Sequence, residues 1–183
     1  NDKMAPVVNR GQARNYGQGN FNDADMLEVG NVGLSATEQA SMMSLWSIAG
    51  SPLLAGTDII HASEATLRIL ANKEVTAINQ DLGLHGRVQG IVVRSGNHSE
   101  VWCKQLADGH SVAVVLLNLD DSAPRNVSAP FSGLGLGGAA TVRDLWSHQN
   151  LPIATGSLTA SVDPHGTRMF KLTSSDAVDV ACL

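Results

Sequence analysis

Clustered basic residues and long apolar runs are both missing from this 183-residue sequence. The 12 Lys and Arg residues are scattered and the formal net charge is −5, whereas a nucleic-acid-binding protein needs a concentrated basic face to neutralise phosphates. No apolar run reaches the ~20 residues that a helix needs to cross a bilayer. We therefore expect a protein that neither binds nucleic acid nor spans a membrane.

Cysteine and aromatic residues are also scarce. The two cysteines, Cys103 and Cys182, permit one disulfide bond but do not imply it. Aromatic residues make up 4% of the chain, whereas hydrophobic residues make up 43%, which is enough for a real core. The sequons at Asn97 and Asn126 are weak signals singly, but in a secreted protein both would mark glycosylation sites on the surface.

A helix is predicted directly after residue 35. Ser35 and Glu38 in "SATE" form a capping box, in which each side chain can bond the backbone amide of the other residue. Apolar side chains then recur at helical spacing, and Gly50 is placed to end the helix. The apolar positions are Met42, Leu45, Trp46 and Ala49. Because Trp46 lies on this apolar face, we expect it to pack in the core.

The neighbouring segments complete an α/β pattern. The short apolar runs at 4–8 and 52–58 are typical of strands. Residues 63–80 have helical spacing that breaks near Asn72, which predicts two consecutive helices. The order strand, helix, strand, helix is that of a parallel α/β unit.

The pattern changes near residues 83–88. Short runs with β-branched residues follow, separated by turns, and "ADGH" joins two of them as a predicted hairpin. This half of the chain contains no credible long helix, so it predicts an all-β sandwich of about eight short strands, in which Trp102 and Trp146 pack. We therefore predict two domains, residues 1–85 and residues 86–183.

The acidic segment "FNDADMLEVGN" at 21–31 has three interpretations. Asp23 and Asp25 could be an acid/base pair of a hydrolase, part of a metal site, or carboxylates of a solvated turn. The segment precedes the first predicted helix, on a loop of the kind that carries active sites in parallel α/β folds. If it is extended, Asp23 and Asp25 point the same way. A metal site is the poorest interpretation, because no His stands at ligand spacing from these acids, although His61 follows Asp58 closely.

Three longer stretches carry a family resemblance. "FNDADMLEVGN", "SLWSIAGSPLL" and "NKEVTAINQD" resemble, in this order, the patterns W-N-D-P-D-M-L-x-x-G-N, S-L-W-x-I-x-x-x-P-L-L and N-K-E-V-I-A-x-N-Q-D of the glycoside hydrolase family 27 α-galactosidases (melibiases). "VRDLW" and "VDPHGTRMFKL" resemble the family's carboxyl-terminal β domain, so the likeness covers about residues 20–172. Two positions differ from the first pattern: Phe21 lacks the indole donor of the usual Trp, and Ala24 lacks the fixed φ of the usual Pro.

This resemblance implies a fold and a mechanism. The chain would hold strands 7 and 8 of a (β/α)8 barrel with their helices, the last quarter of the barrel, followed by an antiparallel β-sandwich. The family hydrolyses terminal α-linked galactose with retention, using a carboxylate nucleophile and a carboxylic acid/base and no metal or organic cofactor. Both groups belong to motifs that are not found in this sequence and are expected upstream of it. We therefore expect no catalytic residue in this chain, and no hydrolytic activity from it alone.

The resemblance also assigns roles to the acidic segment. Asp25 and Met26 would line the sugar pocket, with Asp25 accepting hydrogen bonds from sugar hydroxyls and Met26 forming an apolar wall. Asn22 and Asp23 would support the loop behind them. The expected partners are the galactoside substrate and the missing amino-terminal part of the barrel, as the same polypeptide, a nicked chain or a separate subunit. A secreted or a lysosome- or vacuole-like location is expected.

Two alternatives remain at this point. The chain could be a non-catalytic carbohydrate- or protein-binding module, which would need exposed aromatic residues on the sandwich. The aromatic residues available there are Trp102, Phe131, Trp146 and Phe170. The parent enzyme could also act on α-N-acetylgalactosamine or β-L-arabinopyranose, because the loop that would select the group at carbon 2 is expected upstream.

Overall fold

The structure, a computed structural model, describes residues 22–179 and residue 182. The strand predicted at 4–8 lies outside these residues. The helices are α1 (Ala36–Ile48), α2 (Glu64–Leu70) and α3 (Lys73–Gln80). The strands are β1 (Ile91–Gly96), β2 (Ser99–Gln105), β3 (Ser111–Asn118), β4 (Arg125–Pro130), β5 (Ala139–Asp144), β6 (Gln149–Thr155), β7 (Ser157–Val162) and β8 (Thr167–Ser174).

The three helices begin where their capping residues predict. The amide of Glu38 donates to Ser35 Oγ (3.2 Å) and the amide of Ser35 donates to Glu38 Oε2 (2.8 Å), so the capping box of α1 is confirmed. Asn72 separates α2 from α3, and its side chain accepts from the first amides of α3. The predicted break near Asn72 is therefore confirmed.

The predicted strand over 52–58 is wrong in its extent. Within residues 22–179 this segment pairs only through one isolated parallel bridge, between Leu27 and Ala55. The amide of Leu27 donates to Leu54 O (2.7 Å), and the amide of Gly56 donates to Leu27 O (2.8 Å). Leu54 is 62% exposed rather than buried. A parallel strand gains its hydrogen bonds and its burial from neighbours on both sides, and the described residues supply one of them.

The eight strands form the predicted antiparallel sandwich. Six of them make one sheet in the order β1-β2-β3-β8-β5-β6, and β4 and β7 make a second sheet of two strands. All strand pairings are antiparallel. The predicted boundary between residues 85 and 86 falls in a 3₁₀ turn, Leu84–Gly86, ahead of the first strand. Whether it divides two independent domains stays a prediction.

Strand β3 lies at the centre of the large sheet and is buried along its whole length. Its side chains alternate between two hydrophobic clusters, as the two-residue period of a strand requires. One set packs towards the helices: Ala113, Val115 and Leu117. The other set packs towards β4 and β7: Val112, Val114 and Leu116. Both faces of the sheet are therefore covered, which explains the unbroken apolar run "VAVVLL".

The two tryptophans predicted to pack the sandwich face the helices. Trp102 is buried in the cluster that contains α1 and α3, and Trp146 is half-buried against the same cluster. Trp146 Nε1 donates to Ser44 Oγ of α1 (3.0 Å). These side chains therefore join the helical part to the sheet rather than filling the space between the two sheets.

Cys103 and Cys182 form a disulfide bond across 79 residues of sequence, which resolves the question that the sequence left open. Both residues lie in the cluster between the two sheets. The bond ties the segment after β8 to β2. In the chain-entropy account, closing a loop of this length restricts the unfolded chain and contributes roughly 4–5 kcal/mol to stability.

Lys104 is a buried cation that connects β2 to α3. Its ammonium donates to Ile78 O (2.6 Å) and Asp81 O (2.9 Å) at the carboxyl end of that helix, where a positive charge is favourable. The side chain is 1% exposed. Burial lowers the pKa of Lys104 from 10.5 to about 8, an effect that the Asp81 carboxylate opposes.

His165 bridges α1 and the sandwich. Its Nε2 lies 2.8 Å from Asp121 Oδ1, and its Nδ1 lies 3.2 Å from Glu38 Oε1. The Ser41 hydroxyl donates to His165 O (2.9 Å). The hydrogen bond to Asp121, and next the one to Glu38, raise the pKa of His165 above its ordinary value. His165 lies in a turn, with φ 54°.

We predict that Lys104 makes stability rise with pH at alkaline pH. The unfolded amine keeps its proton up to about pH 10.5, whereas the folded amine loses it near pH 8, so between these values the unfolded state binds more protons. The unfolding free energy of the wild type should therefore rise relative to that of Lys104→Met by about 1–2 kcal/mol between about pH 7.5 and pH 9.5. Denaturant titrations of both proteins at the two pH values measure this difference. An unchanged difference would contradict the assignment.

We predict the opposite pH dependence for His165. Its folded pKa is raised, so its stabilising contribution is full below its unfolded pKa near 6.5 and disappears as the pH rises through the folded value. The thermal midpoint of His165→Gln should fall below that of the wild type most at about pH 5.5 and least at about pH 8.5. His110→Gln is the matched control, because it is an exposed histidine outside this bridge, and its deficit should not follow this trend.

Candidate functional site

The acidic segment lies beside the segment 52–58, and the two run parallel at Leu27 and Ala55. Leu27, which is 1% exposed, anchors the first segment in the core. Asn31 Nδ2 closes the arrangement by donating to Gly56 O (3.0 Å) and to Glu28 Oε2 (2.5 Å). No role was predicted for Asn31, because its acceptor on Gly56 lies 25 residues further along the chain.

Asp25 adopts a left-handed backbone, with φ 70°. The expectation that Asp23 and Asp25 share one face of an extended segment is therefore wrong, because an extended strand requires negative φ. The Asp25 side chain is exposed, and its Oδ1 accepts from the amide of Met26 (2.7 Å). Its backbone carbonyl accepts from Trp46 Nε1 (2.8 Å). Asp is among the few residue types that adopt this conformation at modest cost.

Met26 lies against the second segment. A Cβ atom added to Gly56 would collide with the Met26 sulfur, so the thioether occupies the space that the glycine leaves open. Met26 is 47% exposed, which leaves one side of it free for contact with another group. Asp25 and Met26 thus present a carboxylate and a soft apolar surface side by side.

The residues before Asp25 differ in burial. Asn22 is buried at 5% exposure, and its Nδ2 has no hydrogen-bond partner among the residues that the structure describes. Ala24 is buried in the core at 1% exposure. Asp23 is exposed. Asn22 is buried, as a residue that supports the loop from behind would be, whereas Asp23 is exposed. The supporting roles of both residues stay predictions.

Trp46 is buried in the core as predicted, at 1% exposure. Its hydrogen bond to Asp25 was not predicted. The sequence predicts only that a buried indole N–H needs an acceptor. It does not identify that acceptor.

Asp58 stabilises a turn rather than a helix. Its carboxylate accepts from the amides of Ile60 (3.0 Å) and His61 (3.3 Å), whereas the cap of the following helix is Ser63. His61 Nδ1 lies 2.6 Å from Asp58 Oδ2, and this bond is the largest cause of the lowered pKa of Asp58. Over residues 22–179 and 182, no group of three or more His, Cys, Asp or Glu side chains is arranged to hold a metal ion.

Both sequons are exposed. Asn97 lies in the turn between β1 and β2 with φ 51°, and Asn126 lies on β4. Their exposure is compatible with glycosylation, which stays a prediction. Within the described part of the chain, no helix is both long enough and apolar enough to cross a membrane.

Two family models match the chain. The model described as alpha galactosidase A matches residues 9–81, and the model of the alpha galactosidase C-terminal beta sandwich domain matches residues 96–172. An α-galactosidase of Oryza sativa subsp. japonica is 46% identical over 160 residues, which are 86% of this chain and 37% of that protein. An α-galactosidase of Cyamopsis tetragonoloba is 43% identical over 160 residues, covering 86% of this chain and 38% of that protein.

Solved structures agree with these matches. α-Galactosidase I from Mortierella vinacea superposes with a TM-score of 0.83 at 28% identity, covering 94% of this chain and 44% of that one. Relatives of other activity also match. An α-N-acetylgalactosaminidase of Gallus gallus is 35% identical, covering 85% of this chain and 39% of that protein. A β-L-arabinopyranosidase of Geobacillus stearothermophilus superposes with a TM-score of 0.83 at 27% identity, covering 95% of this chain and 43% of that one.

The chain spans less than half the length of these relatives. The predicted fold class is confirmed: the last part of a (β/α)8 barrel is followed by an antiparallel β-sandwich. The chain belongs to glycoside hydrolase family 27, the α-galactosidases, and corresponds to the carboxyl-terminal region of its members.

Proposed function

We propose that this chain supplies part of the galactose-binding pocket of a retaining α-galactosidase, with Asp25 and Met26 in contact with the sugar. The observation that carries the proposal is the exposed Asp25 carboxylate beside the half-exposed Met26, on a loop whose backbone is fixed from the core. The catalytic nucleophile and the acid/base belong, in this proposal, to polypeptide outside residues 1–183.

Asp25 has the chemistry of a hydroxyl acceptor. One of its oxygens already accepts from the Met26 amide, which orients the carboxylate without using its full capacity of about four lone-pair sites. Sugar hydroxyls that donate to a carboxylate form charge-assisted bonds, which are roughly twice as strong as neutral ones. Asp25 would therefore fix the orientation of galactose, while Met26 contacts an apolar patch of the ring.

Asp23 and Asp25 do not suit the two catalytic roles of this reaction. Retaining glycosidases place two carboxyl groups ≈ 5–5.5 Å apart on opposite sides of the scissile bond, one to form the covalent glycosyl-enzyme and one to protonate the leaving oxygen. Two residues separated by one residue in a single loop cannot flank a sugar from both sides. The resemblance supports the same division, because the motifs of both groups are absent from this sequence.

The barrel part of the chain presents an incomplete apolar surface that fits a partner segment. Large side chains around the segment 52–58 are exposed: Leu54 at 62%, Ile59 at 58% and Ile60 at 85%. Over residues 22–179, the parallel bridge between Leu27 and Ala55 has no further strand paired beside it, so its outer edges are open. We propose that the rest of the barrel covers this surface, as one polypeptide or as a separate chain.

Two features support a secreted, lysosomal or vacuolar location. The Cys103–Cys182 disulfide bond is of a kind that persists in oxidising compartments and is rare in the cytosol. The exposed sequons at Asn97 and Asn126 are accessible to the glycosylation machinery of the secretory route.

The alternative of a binding module receives little support from the sandwich. A carbohydrate-binding face would need exposed aromatic rings, but Trp102, Phe131 and Phe170 are buried and Trp146 is half-buried against α1.

The choice of sugar is tested by assaying the full-length protein that carries this chain on aryl α-galactoside, α-N-acetylgalactosaminide and β-L-arabinopyranoside. We expect the highest kcat/KM on the α-galactoside. Absence of hydrolysis on all three would overturn the proposal.

We predict that Asp25→Asn in the full-length enzyme lowers kcat/KM for an aryl α-galactoside by about 10- to 100-fold, the cost of losing hydrogen bonds to a charged group. The inhibition constant of free galactose should rise as well. Asp176→Asn is the matched control, because it removes an exposed carboxylate in the segment after β8 and should leave both constants unchanged. Equal constants for Asp25→Asn and the wild type would exclude Asp25 from the pocket.

We predict that Gly56→Ala displaces Met26, because the added methyl group would collide with the Met26 sulfur and lie 3.2 Å from Leu27 O. KM for the α-galactoside should rise several-fold if Met26 forms part of the pocket, on the order of 1 kcal/mol of lost contact. Methyl NMR of methionine would report the displacement directly. Gly137→Ala should leave both readouts unchanged, because nothing lies within 4 Å of its added Cβ.

A further inference from the structure

The indole of Trp46 is held in one place and donates to one described acceptor. It is 1% exposed, in the cluster that joins α1, α3 and the large sheet. Tryptophan has a single side-chain donor, and Nε1 of Trp46 donates it to Asp25 O at 2.8 Å. The bond therefore reaches from a buried helix to the backbone of the residue whose carboxylate faces outwards.

The backbone at Asp25 needs such a contact. A left-handed conformation costs less at Asp than at most residues other than glycine, but it still has a cost, which a backbone hydrogen bond at this residue helps to offset. The family pattern has a proline directly before this aspartate, and this chain has Ala24, which does not lock φ. Ala24 and Leu27 are buried, and the exposed residues Asp25 and Met26 lie between them. The orientation of this exposed pair therefore depends on the hydrogen bond from Trp46 Nε1 to Asp25 O.

Helix α1 is a rigid support for the donor. The Ser44 hydroxyl accepts hydrogen bonds from Trp146 Nε1 (3.0 Å) and Thr167 Oγ1 (3.1 Å), and both donors belong to the sandwich. On the other side, Asn79 Nδ2 of α3 donates to Ser51 O (2.7 Å), just beyond the end of α1. The sandwich and α3 thus fix α1, and α1 fixes Asp25 O.

We infer that Trp46 is a positioning residue for the sugar pocket: its indole N–H holds the left-handed backbone at Asp25 and so sets the direction in which the Asp25 carboxylate meets the sugar. This inference rests on the proposed function of Asp25. It also gives the β-sandwich a part in substrate binding, through the contacts that Trp146 and Thr167 make with Ser44 of α1.

A purely structural role for Trp46 makes a different prediction, and Trp102 provides the comparison. Trp102 is 2% exposed, belongs to the same cluster and also donates one indole hydrogen bond, to Glu100 Oε2 at 3.0 Å. Trp46→Phe and Trp102→Phe therefore lose a similar volume and one indole hydrogen bond each, the first to a backbone carbonyl and the second to a carboxylate. If both tryptophans only stabilise the core, both substitutions lower the thermal midpoint and neither changes binding.

The experiment compares full-length wild type, Asp25→Asn, Trp46→Phe and Trp102→Phe. For each protein it measures the inhibition constant of galactose, KM and kcat on an aryl α-galactoside, and the thermal midpoint. We expect Trp46→Phe to raise the inhibition constant and KM by about tenfold, the value of one hydrogen bond, while Trp102→Phe changes them less than about twofold. Equal binding constants for the two Phe variants would overturn the inference.

Asp25→Asn separates the two proposals. If it leaves the inhibition constant unchanged, the proposed function of Asp25 fails. If it raises the constant and Trp46→Phe matches Trp102→Phe, only the role of Trp46 fails. Should Trp46→Phe not fold, benzothienylalanine at position 46 keeps the ring volume without an N–H, and the same tenfold rise is expected. An unchanged constant in that folded variant would equally overturn the inference.

Discussion

The burial of helix α1 against the large sheet is the constraint on which the rest of the structure depends. Eight consecutive residues of the helix, from Ser41 to Ile48, are buried, so the helix is covered on all sides rather than on one stripe. Small serines allow close approach, and two of them have polar partners: Ser41 donates to His165 O, and Ser44 accepts from Trp146 and Thr167. The opposite side of the helix receives Ala24, Leu27 and Val29 from the acidic segment.

The polar contacts across the junction add specificity to this packing. Arg143 of β5 makes two hydrogen bonds to the Glu74 carboxylate of α3, at 2.9 and 2.7 Å, and Asn72 Nδ2 donates to Leu145 O at 3.0 Å. Glu74 and Arg143 are about one-third exposed, so their pair contributes modestly. The buried contacts of Asn72 and Lys104 matter more, because removing either would leave carbonyl groups without partners in the core. These bonds define how the helices sit on the sheet.

Local chemistry in the sequence predicts much of this structure. The capping box at Ser35, the break near Asn72, the change from helical to two-residue spacing and the family motifs lead to the correct elements and fold class. The errors arise where distant residues decide. Asp25 takes its conformation with support from Trp46, 21 residues further along the chain. Among the described residues, the segment 52–58 pairs at a single bridge and so does not form a strand. The Cys103–Cys182 bond and the burial of Lys104 likewise depend on tertiary packing that no local pattern records.

The contacts of α1 with the last strand also have a consequence for synthesis in the cell. The Ser41 hydroxyl meets His165 across 124 residues of sequence, and Ser44 meets Thr167 across 123. At a translation rate of about 5–20 residues per second, the buried face of α1 therefore waits on the order of ten seconds for the strand that covers it. During this interval the side of α1 that carries Ser41 and Ser44 lacks its final partners, although α3 is already made. A nascent chain stalled between α1 and β8 would therefore leave this side of the helix exposed to solvent.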